Sequence, residues 1–291
     1  MSFKDDVISS FQEGSLLTKL IYVNVGVYVF LALVQVVCKL FELDSSWLGW
    51  VFMVPSNWSS FLHHPWTILT YMFSHTGFVH LICNVLMLYW FGQLFMTFFN
   101  QRDLVGVYVL GGLAGGLIYL LAFNFIPYYV QQGSNFLLGA SASVMAIVVS
   151  TAVISPDYRV RIPLIGSVKI EWIAVATVLI SLLSITSANA GGELAHLGGA
   201  LAGYLFAKAY KKNKNIVGWI NAFLDKLINL FKKRPSMNVS YENMSSARET
   251  DEEYNARKKQ KNDEIDRILD KIKQSGYDSL TSDERKKLFG K

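Results

Sequence analysis

Six apolar segments of helical length, at about residues 20–40, 78–99, 104–126, 139–154, 170–185 and 194–210, constrain this chain more than any other feature. A bilayer core demands roughly 20 apolar residues per helical crossing, and these segments read as six spans. The rest of the composition agrees. Of 291 residues 52% are hydrophobic and 17% charged, with a mean hydropathy of +0.31, too apolar for an ordinary soluble protein. The expected fold class is an all-α membrane protein, a six-helix bundle with a cytoplasmic helical extension.

The gaps between spans alternate in charge. One set holds Lys19, Arg102, Arg159, Arg161, Lys169, Lys208, Lys211, Lys212 and Lys214, whereas the other has only Lys39. The positive-inside rule then puts both termini in the cytoplasm, in a multi-pass protein of the cell (inner) membrane. The N-terminal stretch carries Asp5, Asp6 and Glu13 and lacks the basic-then-apolar order of a signal peptide. A net charge of +5 does not suggest nucleic acid, because the basic residues gather at span ends and in the last third. Cys38 and Cys83 both fall inside apolar runs, where packing is their expected role.

Polar groups within spans are costly and mark function. His80 and Asn84 in "HLICN" are four apart on one helical face; His196 opens the sixth span in "AHLGG"; Ser141 opens the fourth in "LLGASASVMAIVVS". That fourth span is short, about 16 residues or some 24 Å against a core of about 30 Å. Backbone at Leu137 and Leu138 is then left at membrane depth, which suits a wet cavity opening outward. Glu193, one turn before His196, is expected at the outer mouth and facing water.

These groups offer three chemistries. Metal binding is disfavoured: His75 and His80 lie about 140° apart on a helix, with no acid or thiolate in ligand spacing. A transporter also places His and Ser in the bilayer, but the buried acid that drives proton coupling is missing. Nucleophilic catalysis finds every part it needs: Ser141 as hydroxyl, His196 as base, and His80 with Asn84 as oxyanion donors beside the Ser141 N–H at a helix start. Gly139 lets the chain turn there. Gly199 and Gly203 fall about 60° and 20° around the helix from His196, so the helix that packs on this glycine face meets the ring. Gly111 with Gly115 and Gly112 with Gly116 form similar faces in the third span. A serine in a membrane helix also commonly bonds back to the preceding turn, which leaves the chemistry open on composition alone.

Taken together, H-x-x-x-N in the second span, G-x-S-x in the fourth and A-H-x-G-G-x-x-x-G in the sixth resemble the rhomboid family of intramembrane serine proteases over residues 17–212. The resemblance implies a serine endopeptidase with a Ser141–His196 dyad, without a third acid, and with His80 and Asn84 at the oxyanion. It implies transmembrane protein substrates, no cofactor and no metal. Three positions depart from the commonest pattern: Ala142 replaces the second glycine of G-x-S-G, Met145 a tyrosine that stacks on the histidine, and Thr67 an arginine after Trp66. A silent rhomboid-like client-binding protein is the alternative.

The expected organisation is a cytoplasmic segment 1–18, the six-span domain 19–212, a basic amphipathic interfacial helix 213–234, a linker 235–255 and a small helical module 256–291. In the interfacial helix Ile216, Ile220, Phe223, Leu227 and Leu230 share a face near Lys226, Lys232, Lys233 and Arg234, suited to an anionic leaflet. Trp47, Trp50, Trp58 and Trp66 mark the first external loop as interfacial. A capping box from Thr281 to Glu284 is expected in the module.

Overall fold

The computed structural model describes residues 3–133, 135–162, 166–231 and 251–289 and divides into two compact units, Met1–Lys233 and Arg234–Lys291. The first unit is helical. Helix α1 (Phe3–Glu13) precedes α2 (Leu16–Leu40), which starts where Ser15 Oγ accepts the Thr18 N–H at 3.2 Å. Three short helices follow in a folded loop: α3 (Trp47–Phe52), α4 (Trp58–His63) and α5 (Thr67–Thr70). Then come α6 (Phe78–Phe95), α7 (Gln101–Phe125), short α8 (Pro127–Val130), α9 (Ser141–Ile154), α10 (Ile170–Leu183), α11 (Ala190–Tyr210) and α12 (Gly218–Phe231). Helices α2, α6 and α7 are long and apolar enough to cross a membrane; α9 and α10 are apolar and shorter. Helix α11 is long enough, but its glycines, Glu193 and His196 dilute its apolarity.

Helices α7, α9 and α11 form the centre. Lipid tails give no hydrophobic drive between helices, so association rests on close packing and hydrogen bonds. Small residues supply the closeness. A Cβ at Gly111 would stand 2.5 Å from the Ala146 Cβ, and one at Gly115 would stand 2.7 Å from the Ala142 Cβ. From the other side, a Cβ at Gly199 or Gly203 would collide with the carbonyl oxygen of Ala142 or Ala146. Helix α9 is therefore sheathed in protein, with Ala142 through Ala152 all buried. Its 14 residues, about 21 Å, need not match the lipid thickness.

The loop between α2 and α6 is tied to this centre. Tyr71 donates to Gly112 O at 2.6 Å and Tyr108 to Met72 O at 2.7 Å, both rings fully buried. Strand β1 (Val54–Pro55) pairs antiparallel with β2 (Phe136–Leu137). Leu137 thus has a ladder partner in Val54, and with Leu138 it also borders a cavity of about 320 Å³. Thr67 turns inward, its hydroxyl donating to His64 O at 2.6 Å, where an arginine could not fit without rebuilding the loop. Trp47, Trp58 and Trp66 are exposed, while Trp50 packs edge-on against Phe136. Strands β3 (Arg159–Ile162) and β4 (Gly166–Lys169) form a hairpin between α9 and α10, a ladder that the basic spacing of this gap does not announce.

Helix α12 is held at its start. Val217, just before it, packs against Gly106 of α7 and Ile220 is buried, whereas Trp219, Phe223 and Ile228 are exposed. The basic end expected at Lys232, Lys233 and Arg234 and the linker positions 235–250 lie outside the described residues. The second unit comprises α13 (Asp251–Ser275) and α14 (Ser282–Phe289), so residues 251–255 of the expected linker are helical. Glu284 accepts from Thr281 N–H at 2.8 Å and from Lys271 Nζ at 2.9 Å, completing the capping box.

Candidate active site

Gly139 has φ +115°, on the side of backbone space that side chains disfavour, and its N–H donates to Tyr71 O at 2.9 Å. Tyr71 is in turn locked to Gly112. The α9 entrance is thereby held from α7 through the loop. Val144 is the first residue of α9 whose amide bonds back within the helix, to Ala140 O at 3.0 Å. Helix geometry leaves the earlier amides, including that of Ser141, without an intrahelical partner.

Ser141 is half-buried and borders a cavity of about 210 Å³ that it shares with His196, Asn84, Met145, Cys83 and Thr177. His196 arrives there because Gly199 and Gly203, on its side of α11, let that helix lie against the α9 backbone. Ser141 and His196 share the cavity without a hydrogen bond between them. Met145, standing where a tyrosine is commoner, is buried and lines the same space. Ala142 fits its position with its Cβ in the gap left by Gly115.

The other ring nitrogen of His196 is occupied. Nδ1 lies 3.2 Å from Glu193 Oε2 and 3.1 Å from Ser181 Oγ. The expectation that Glu193 faces water is overturned: its side chain is only 15% exposed and turned onto the histidine. The i, i+3 spacing on α11 was the available signal. Ser181, 2% exposed on α10, had none, since its approach depends on how α10 packs against α11.

Helix α6 delivers His80 and Asn84 to different surroundings. Asn84 is buried and borders the Ser141 cavity, with one amide N–H given to His80 O at 2.9 Å. His80 instead lines a second cavity of about 320 Å³ with Thr76, Leu138, Asn189 and Gly192. Its ring abuts Gly139: a Cβ there would stand 3.1 Å from His80 Nε2 and 3.8 Å from Ser141 Oγ. The His75 ring meets His80 edge-on at 5.2 Å. Among the described residues no group of three or more His, Cys, Asp or Glu side chains could hold a metal ion.

Residues 62–213, just over half of the chain, match the rhomboid domain family. The chain belongs to the rhomboid family. A relative with a similar stretch is the RHOMBOID-like protein 12, mitochondrial, of Arabidopsis thaliana, 27% identical over 144 residues. The match covers 46% of this rhomboid and 43% of that relative, so the chain spans less than half of the relative's length. Residues 248–289 of this rhomboid match a second family, one of unknown function (DUF6576). The α9 entrance, the α11 glycine face and the α6 pair all fall within the matched rhomboid region.

Proposed function

We propose that this rhomboid is a serine endopeptidase that hydrolyses peptide bonds in or near transmembrane segments of other membrane proteins. One observation carries the reading: Ser141 and His196, from two helices packed backbone to backbone through glycines, border one cavity that Asn84 also lines. His196 Nε2 takes the Ser141 proton as Oγ attacks the scissile carbonyl carbon. The carbonyl oxygen becomes an oxyanion, met by the Ser141 N–H, the free N–H of Asn84 and the His80 ring. The imidazolium then returns the proton to the leaving amine as the C–N bond breaks. Water, deprotonated by the same nitrogen, hydrolyses the acyl-enzyme.

Support for the membrane setting comes from α2, α6 and α7 and from the charge of the intervening gaps. In this reading α9, α10 and α11 complete six crossings, both termini lie in the cytoplasm of a cell-membrane protein, and the cavity opens outward. Helix α12, with Trp219, Phe223 and Ile228 uncovered, rests on the anionic inner leaflet. The substrates are transmembrane proteins, and lipid is the other partner.

The test is labelling with a fluorophosphonate probe, which traps an activated serine covalently. Wild-type protein should be labelled and Ser141→Ala should not. Equal labelling of both, or of neither, would refute the assignment, and a client-binding rhomboid without catalysis would give the second outcome.

A further inference from the structure

His196 has two nitrogens, and only one can face Ser141. The mechanism above uses Nε2 as the base and leaves Nδ1 unexplained. Two side chains from two helices meet Nδ1: Glu193 of α11 at 3.2 Å and Ser181 of α10 at 3.1 Å. Neither is a surface group. Ser181 is 2% exposed, and the Glu193 side chain is 15% exposed.

Glu193 stands in the first turn of α11 with its carboxylate turned onto Nδ1. An ionised carboxylate can only accept hydrogen bonds. Nδ1 must then carry the proton, and in a neutral imidazole this leaves Nε2 with a bare lone pair. That tautomer is the one able to take a proton from Ser141. Ser181, approaching from the neighbouring helix, adds a contact out of reach of Glu193 alone and limits the tilt of the ring. Two anchors matter here because Met145 offers no flat ring for His196 to stack on.

We infer that Glu193 and Ser181 are positioning residues for His196, holding it as the Nδ1–H tautomer with Nε2 directed to Ser141, so that the base of this rhomboid is buttressed by an acid. The inference rests on the proteolytic reading for its consequence, but not for its geometry. After proton transfer the same carboxylate faces the imidazolium and stabilises it. The double variant Glu193→Ala/Ser181→Ala should lower kcat by about 10- to 1000-fold with KM changed only a few-fold, as expected when a base loses its orientation. Glu193→Gln, whose amide oxygen still accepts from Nδ1–H, should retain more turnover than Glu193→Ala.

The experiment is nitrogen NMR of the full chain with 15N-labelled histidine in detergent, the His196 signals being assigned by their loss in His196→Ala. Wild type and Glu193→Gln should show a protonated Nδ1 and an unprotonated Nε2, and the double variant should shift toward the Nε2–H form. A wild-type ring protonated at Nε2 overturns the inference, as does a double variant with unchanged tautomer and unchanged kcat. The ring signals report without turnover. Absence of Ser141 labelling with the tautomer as stated would therefore count against the proteolytic reading and not against this one. Should the double variant not fold, Ser181→Ala and Glu193→Ala carry the same comparison singly.

Discussion

Two serines two positions apart make the sharpest contrast at the scale of the residue. Ser141 opens α9 into the cavity, whereas Ser143, about 200° further round the helix, is fully buried and its Oγ has no hydrogen-bond partner. Ser141→Ala and His196→Ala should each abolish cleavage of a model transmembrane substrate in liposomes while the protein stays folded, because nucleophile and base act as one unit. Ser143→Ala should keep full activity and unfold at the same or a higher temperature. It removes an unsatisfied buried polar atom, whose burial costs about 1–3 kcal/mol. An inactive Ser143→Ala with an active Ser141→Ala would reverse the assignment. Asn84 gives a second residue-scale expectation. With one N–H committed to His80 O, its remaining N–H is the donor available to an oxyanion. Asn84→Ala should lower turnover by about 100- to 1000-fold with KM little changed, as for a lost oxyanion donor. His80→Ala should cost less, because the ring borders the neighbouring cavity. Normal turnover in Asn84→Ala would leave the backbone amides alone at the oxyanion. The positions of these groups are legible in the sequence because each is a polar interruption of an apolar run. What each one touches is not: Glu193 reads as solvated until α10 and α11 close over it.

Among the elements, α11 is where sequence pattern and packing meet most directly. Gly199→Val and Gly203→Val put carbon into the carbonyl oxygens of Ala142 and Ala146, which are backbone and cannot swing aside. Each should lower the melting temperature in detergent and reduce cleavage, since the displaced helix takes His196 with it. Gly26→Ala is the control, because a Cβ there meets nothing within 4 Å and should be neutral or slightly stabilising in a helix interior. An equal effect at Gly26 and Gly199 would show that the glycines matter for the backbone rather than for the seam. The small-residue spacing made this seam readable in advance, and the caps explain most boundary differences. Helix α2 starts at Leu16, four residues before the apolar run, because Ser15 caps it. The β1–β2 pair was not readable, since a two-residue ladder exists only through the closeness of distant segments. In the second unit, Thr281 N–H and Lys271 hold the Glu284 carboxyl down to about 2 from its ordinary 4.5. A depressed carboxyl contributes stability that is whole above 4.5 and lost as pH falls toward 2. Exchange of the Arg285 amide, bonded to Thr281 O, should therefore accelerate over that window, and Glu284→Gln should remove the dependence.

For the whole molecule the discriminating quantity is parity. If only α2, α6 and α7 crossed the bilayer, an odd number of passes would put the two ends of the chain on opposite sides. Six crossings, as proposed, would put them on one side, the arrangement that the alternation of Lys and Arg between gaps favours. The other three helices of the proposed six are shorter or less apolar for physical reasons that belong to the fold. Helix α9 is short because protein rather than lipid surrounds it, α10 is likewise 14 residues, and α11 gives up apolarity to glycines, Glu193 and His196. With Cys38 and Cys83 replaced by alanine, single cysteines at Ser9 of α1, at Ser187 between α10 and α11, and at Asp283 of α14 report the arrangement in sealed cells. A membrane-impermeant maleimide added outside should label only the cysteine at 187; after permeabilisation all three should react. Labelling of 9 and 283 from opposite sides would mean an odd number of crossings. The cavity adds its own constraint: Ser141, His196 and Asn84, each in the first half of its helix, border one space, so α9, α11 and α6 must enter the bilayer from a shared side.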